Sequence, residues 1–132
     1  MKQAVSAADA PSAIGPYSQA IRHGEWVFCS GQLGLDPQSG ELVRGPGGGA
    51  DVGAETERAM ANLRAVLAAA GCDFDRVVRT TIYVTDLAHY AAVNEAYARY
   101  LRPPYPARVT VQVAALPRGA AVEIDAVAIR AE

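Results

Sequence analysis

Two charged residues sit inside runs that otherwise read as buried strand: Arg108 in PARVTV and Glu123 in AVEIDAV. Arginine and glutamate are almost never fully buried unless paired, so each requires water, a partner or a ligand. Two readings follow. Arg108 and Glu123 could close a structural ion pair across adjacent antiparallel strands. Alternatively, the guanidinium fork could receive a small carboxylate in two parallel hydrogen bonds, with no histidine or metal beside it to make the site nucleophilic. Along YPARVTVQVAAL, Val109, Val111 and Val113 share one face of a strand, and Arg108, Thr110 and Gln112 share the other. The valines mark the core-seeking face.

Other catalytic equipment is sparse. His23 falls in a hairpin turn and His89 in the first turn of a helix, and neither has a companion at i, i+4, so metal binding is not expected. The chain contains no GxSxG elbow, no GxxxxGK[ST] loop and no GxGxxG after a strand. GPGGGADVG lacks a phosphate-reading lysine and reads as a flexible, exposed insertion. Cys29 and Cys72 have no CxxC spacing and read as buried free thiols.

The elements that must position Arg108 and Glu123 are legible. Tyr17 to Arg22 and Glu25 to Ser30 form strands around a tight His23-Gly24 turn. The Gly- and Pro-rich 34–53 segment is a loop. From Asp51, Val52, Ala59, Met60, Leu63, Val66 and Leu67 form the stripe of an amphipathic helix, stopped by Gly71. In RVVRTTIYVTDL, Val78, Thr80, Ile82 and Val84 oppose Val77, Arg79, Thr81 and Tyr83 on the clearest strand of the chain. Thr85 or Asp86 can cap a second helix carrying Leu87, Tyr90, Val93, Tyr97 and Tyr100, which Pro103 and Pro104 end. The strands Ala107 to Ala114 and Ala121 to Arg130 follow, joined by LPRG.

The order β-β-α-β-α-β-β implies an α+β fold, a mixed sheet with parallel strand–helix–strand units and both helices packed on one face. The other face, carrying Val127, Ile129, Val77 and Tyr83, is too apolar to meet bulk water, so homo-oligomerisation through it is expected. At 132 residues the chain is expected to be one domain, residues 1–132, and to fold without metal or disulfide staples. Its formal net charge of −2 gives no drive toward phosphate backbones or anionic lipid, so neither nucleic acid nor membrane is an expected partner. Met1 to Ala13 lacks the pattern of a signal peptide, which points to the cytoplasm.

The chain resembles the RidA (YjgF) family of enamine and imine deaminases. The resemblance is carried by AIGPYSQAI, CSGQLGLDPQSGEL, VVRTTIYVTDL and above all PARVTVQVAALPRGAAVEIDAVA. It implies a chorismate-mutase-like subunit trimerising into a central barrel, with ligand clefts between subunits. It further implies hydrolysis of 2-aminoacrylate-type enamines and their imines to 2-keto acids and ammonia, without cofactor or metal. By resemblance Arg108 anchors the substrate carboxylate and Glu123 orders the attacking water. Tyr17, Ser30, Gly31 and Asn94 line the same cleft, and Thr110 offers its backbone amide. The polar face of the Arg108 strand would then look into an intersubunit pocket. Val109 and Thr110 depart from the residues common in the best-known members, and the segment Val43 to Gly49 is long, which leaves the particular substrate open. A member of this fold that only binds small carboxylates, or protects proteins, is the alternative.

Overall fold

The computed structural model describes residues 1–130. Six strands, β1 (Gln3–Val5), β2 (Ala20–His23), β3 (Trp26–Leu33), β4 (Val77–Val84), β5 (Ala107–Gln112) and β6 (Val122–Ile129), form one mixed sheet in the order β1-β2-β3-β6-β4-β5. The helices are α1 (Val52–Ala69) and α2 (Tyr90–Ala98). β4 and β5 pair in parallel across α2. β6 pairs antiparallel with both β3 and β4, so it lies between them and the α1 connection also returns in the same direction. The expected α+β architecture is present, with an additional short edge strand, β1, that no sequence pattern announced.

The local chemistry explains the ends of these elements. Asp51 caps α1 by accepting the Ala54 N–H at 3.0 Å, and Gly71, at φ +86°, ends it. Asp86 accepts the Ala88 N–H at 2.9 Å and opens a 3-10 turn over Leu87–His89 that runs into α2. The hairpin pairs His23 with Trp26, so its two-residue loop is Gly24-Glu25 rather than His23-Gly24, with Gly24 at φ +60°. The glycine-rich run is also more regular than expected. Pro46–Gly48 forms a 3-10 turn, closed by Gly45 N–H to the Gly49 carbonyl at 2.8 Å.

Both helices cover one face of the sheet. Met60, Leu63, Val66 and Leu67 of α1 and Val93 of α2 pack against Val27, Ile82, Val84, Val122, Ile124 and Ala128, all buried. The opposite face carries Trp26 and Phe28, 46% and 47% exposed and stacked with centroids 6.1 Å apart. Val78, Val109 and Val111 are exposed beside them.

Two expectations about strand faces are reversed. A register shift between Val77 and Arg79 inserts one extra residue in β4, so Val77 is buried against the helices and Val78 lies on the open face. On β5, Arg108 pairs with buried Thr80 and Thr110 with buried Ile82, which puts the polar row on the helix side and the valines on the open face. The core-seeking assignment of Val109 and Val111 is therefore incorrect: β5 is an edge strand, and α2 offers its inner face polar partners instead of aliphatic ones.

Candidate functional site

Arg108 lies where the edge strand β5 passes beneath α2. Tyr90, Asn94 and Tyr97 recur along α2 at intervals of four and three, so all three side chains reach the same side of the helix. The Arg108 guanidinium donates through Nη1 to Asn94 Oδ1 at 2.6 Å and through Nη2 to the Tyr90 hydroxyl at 2.8 Å. Its Cζ lies 5.5 Å from the Tyr90 ring centroid and 5.2 Å from that of Tyr97. The Tyr97 hydroxyl is itself held 2.7 Å from Oγ1 of buried Thr80. The guanidinium is thus fixed by neutral groups, and no ion pair neutralises it among the described residues. A cavity of about 320 Å³ opens beside it, lined by Asn94, Tyr97, Leu101, Tyr105 and Pro106. The setting is mostly apolar with one fixed cation, which suits a small organic anion.

The proposed Arg108–Glu123 ion pair does not exist. Their strands are separated by β4, and Glu123 projects from the open face, opposite to Arg108. Glu123 instead lies over a second register shift, between Cys29 and Gln32 of β3, where the extra residue breaks the alternation at Ser30 and Gly31. A Cβ at Gly31 would lie 2.8 Å from Glu123 Cδ, so the absence of a side chain there leaves the carboxyl its present position. Burial, and then the neighbouring Asp125 charge, push the Glu123 carboxyl above its ordinary value of 4.5.

A cavity of about 510 Å³ joins Glu123 to Tyr17, Ser30, Gly31, Ile14 and Arg118. Ser30 Oγ donates to the Ser18 carbonyl at 2.6 Å. The Gln19 side-chain amide donates to the Pro11 carbonyl at 2.8 Å, tying down the N-terminal segment that forms one wall of this cavity.

The expected site residues therefore fall into two groups. Arg108 and Asn94 share one cavity; Tyr17, Ser30, Gly31 and Glu123 share the other. Thr110 faces the helix side one pair along from Arg108, and its Oγ1 is buried without a partner. Tyr90 and Tyr97, which hold the guanidinium, look like part of an apolar stripe in the sequence. Their spacing around Asn94, combined with an arginine on the following strand, was the available signal. His23 ends β2 rather than lying in the turn, and the buried Nδ1 of His89 has no partner.

The family model described as endoribonuclease L-PSP matches residues 7–130. A relative from Myxococcus xanthus, protein DfrA, is 55% identical over 97% of this chain and 95% of its own length. The mouse protein named 2-iminobutanoate/2-iminopropanoate deaminase is 48% identical over 98% of this chain and 93% of its own. The crystal structure of RidA from an Antarctic Psychrobacter is 42% identical, with a TM-score of 0.89 over 96% of this chain and 98% of that one.

Proposed function

The chain belongs to the endoribonuclease L-PSP family, the RidA (YjgF) family of its sequence motifs, and on that premise we propose that it is a hydrolytic deaminase. Its substrates are 2-aminoacrylate-type enamines and their imines, and its products are 2-keto acids and ammonia. Relatives named 2-iminobutanoate/2-iminopropanoate deaminase, 45% to 48% identical over nearly the whole chain, support the reaction class. The observation that carries the reading is the Arg108 guanidinium, held by Asn94 and Tyr90 and left without a carboxylate partner at the edge of an apolar cavity.

The chemistry asks little of the protein. The enamine takes a proton at C3 to become the imine. Water adds to C2, and the resulting carbinolamine expels ammonia and leaves the keto acid. Arg108 would anchor the carboxylate. Glu123 would hold the water and accept its proton, and its raised pKa brings it closer to a group that can also return a proton to the departing nitrogen. Such imines hydrolyse unaided in water, so positioning and one proton transfer suffice without metal or cofactor.

The two half-sites are completed when a second copy brings its Glu123 cavity against the Arg108 cavity of the first. A homotrimer joined through the open sheet faces into a central barrel does this three times, once per interface, and covers the exposed Trp26, Phe28, Val78, Val109 and Val111. No helix among the described residues is long and apolar enough to cross a membrane. We place the enzyme in the cytoplasm, where amino-acid dehydratases release such intermediates.

The test is to generate 2-aminoacrylate in situ with a serine dehydratase and follow keto-acid release. Acceleration by the wild type, lost in Arg108→Ala, is expected. No acceleration, or equal acceleration by the variant, rejects the reading. Keto-acid binding without turnover would make the protein a carboxylate binder instead.

A further inference from the structure

Arg118 is the one described residue other than glycine with a left-handed backbone, at φ +64°. It sits in the Pro117–Gly119 turn, followed by Gly119 at φ +71°. Glycine would adopt that conformation freely, whereas an L side chain is strained there. Strain retained at a site lining a cavity points to a use for the side chain.

Its surroundings narrow that use. Among the described residues, Arg118 is the only cation lining the cavity that contains Glu123, Tyr17, Ser30 and Gly31. Its Nη2 donates to the Gly40 carbonyl at 2.7 Å. That carbonyl belongs to a well-braced turn: Asp36 Oδ1 accepts the N–H groups of Gln38 and Ser39 at 2.8 and 3.0 Å, and Gly40 N–H returns to the Asp36 carbonyl at 2.8 Å. One donor of the fork is therefore spent on fixing the side chain, and its other donors remain. No carboxylate forms an ion pair with Arg118 among the described residues.

We propose that Arg118 receives a second anionic group on the substrate, so that this chain's substrate class includes 2-imino dicarboxylates. The inference rests on the deaminase reading given above. In the assembled cleft, Arg108 of one subunit holds the carboxylate next to the reacting carbon, and Arg118 of the other meets the distal carboxylate beyond Glu123. A substrate with a short neutral side chain leaves this cation without an anionic partner. A four- or five-carbon dicarboxylate satisfies both guanidinium groups. The reaction is unchanged: water adds to C2 and ammonia leaves.

The experiment compares imines made in situ by flavin-dependent amino-acid oxidases from alanine, aspartate and glutamate, with semicarbazide trapping to report how long each imine survives. The readout is the ratio of kcat/KM for the dicarboxylates to that for the alanine-derived imine. That ratio should fall about tenfold to a hundredfold in Arg118→Gly, which removes the charge and relieves the backbone, and recover in part in Arg118→Lys. An unchanged ratio in Arg118→Gly, or a wild type that accelerates only the alanine-derived imine, overturns the proposal. Calorimetry with 2-oxoglutarate and pyruvate gives a reading that does not depend on turnover. Preference for 2-oxoglutarate that disappears in Arg118→Gly supports the second anion site even if no imine is hydrolysed, in which case the deaminase reading fails alone. Equal binding of both keto acids by the wild type sinks the second site.

Discussion

Arg108 and Glu123 lie on opposite faces of one sheet with β4 between their strands; Thr80 pairs with Arg108 and Tyr83 with Glu123. One subunit cannot bring a guanidinium and a carboxylate so placed to the same small substrate. Arg108→Ala and Glu123→Ala should each be inactive alone and should complement when the two are dissociated, mixed and reassembled. Random assembly in equal amounts leaves about one interface in four with both residues intact, so about a quarter of wild-type activity is expected from a ring in which each site spans two neighbours. No recovery in mixed assemblies of verified composition would rule out a site shared by Arg108 and Glu123 of neighbouring subunits.

The hydrogen bond between Thr80 and Tyr97, 2.7 Å long and buried, supports the ring on which Arg108 rests. Tyr97→Phe keeps the ring and strands the Thr80 hydroxyl, at a cost of about 1–3 kcal/mol in urea unfolding. Adding Thr80→Val should return part of that loss, because neither partner is then unsatisfied. Keto-acid affinity should survive Tyr97→Phe and fall in Tyr97→Leu, which removes the face beneath the cation.

Period-two and period-3.6 patterns were sufficient to reveal both helices and the five longer strands, because alternation or a helical stripe runs through most of each. They fail where one extra residue enters a strand. The shift at Val78 exchanges the faces of Val77 and Val78, and the shift at Ser30-Gly31 creates the opening under Glu123. Alternation on β5 separated Arg108 and Thr110 from the valines correctly but could not say which row was buried. That depends on Tyr90, Asn94 and Tyr97 of a different element. The candidate residues stood out as a motif, whereas their division between two cavities is a property of strand order, which local pattern does not encode.

Glu123 also governs a pH effect. A carboxyl raised by burial favours the protonated fold, so its contribution to stability is full below its unfolded value near 4.5 and is lost as pH rises through the raised value. Glu123→Gln should therefore melt higher than wild type at pH 7, and the advantage should vanish below about pH 4. Glu55, buried and accepting the Ala121 N–H at 2.8 Å, is also raised, chiefly by burial, and shifts both proteins alike, so the difference between them isolates Glu123. A variant that melts lower at pH 7 would contradict the desolvation account.

The Cys29 thiol is pushed up to about 12, first by burial and then by Cys72 and Asp125. It should resist alkylation at pH 8 in the native protein and react only on unfolding. Rapid native labelling, located to Cys29 by peptide mass, would show that β3 opens locally.

Two glycines of β3 and the loop after it separate site geometry from fold stability. An alanine Cβ at Gly31 would lie 2.8 Å from Glu123 Cδ, at the movable end of a side chain; at Gly34 it would lie 2.6 Å from both the Cα and the carbonyl oxygen of Glu55, inside the backbone of α1. A side chain can swing aside, but a packed helix must be displaced as a body, which costs about 1–3 kcal/mol or more. Gly34→Ala should therefore lose stability in denaturant titrations. Gly31→Ala should remain close to wild type in stability while losing about a hundredfold in imine hydrolysis, because the carboxylate proposed to handle the water is driven from its place. Full activity in Gly31→Ala would remove Glu123 from the reaction, and a wild-type midpoint in Gly34→Ala would remove the close contact between β3's end and α1.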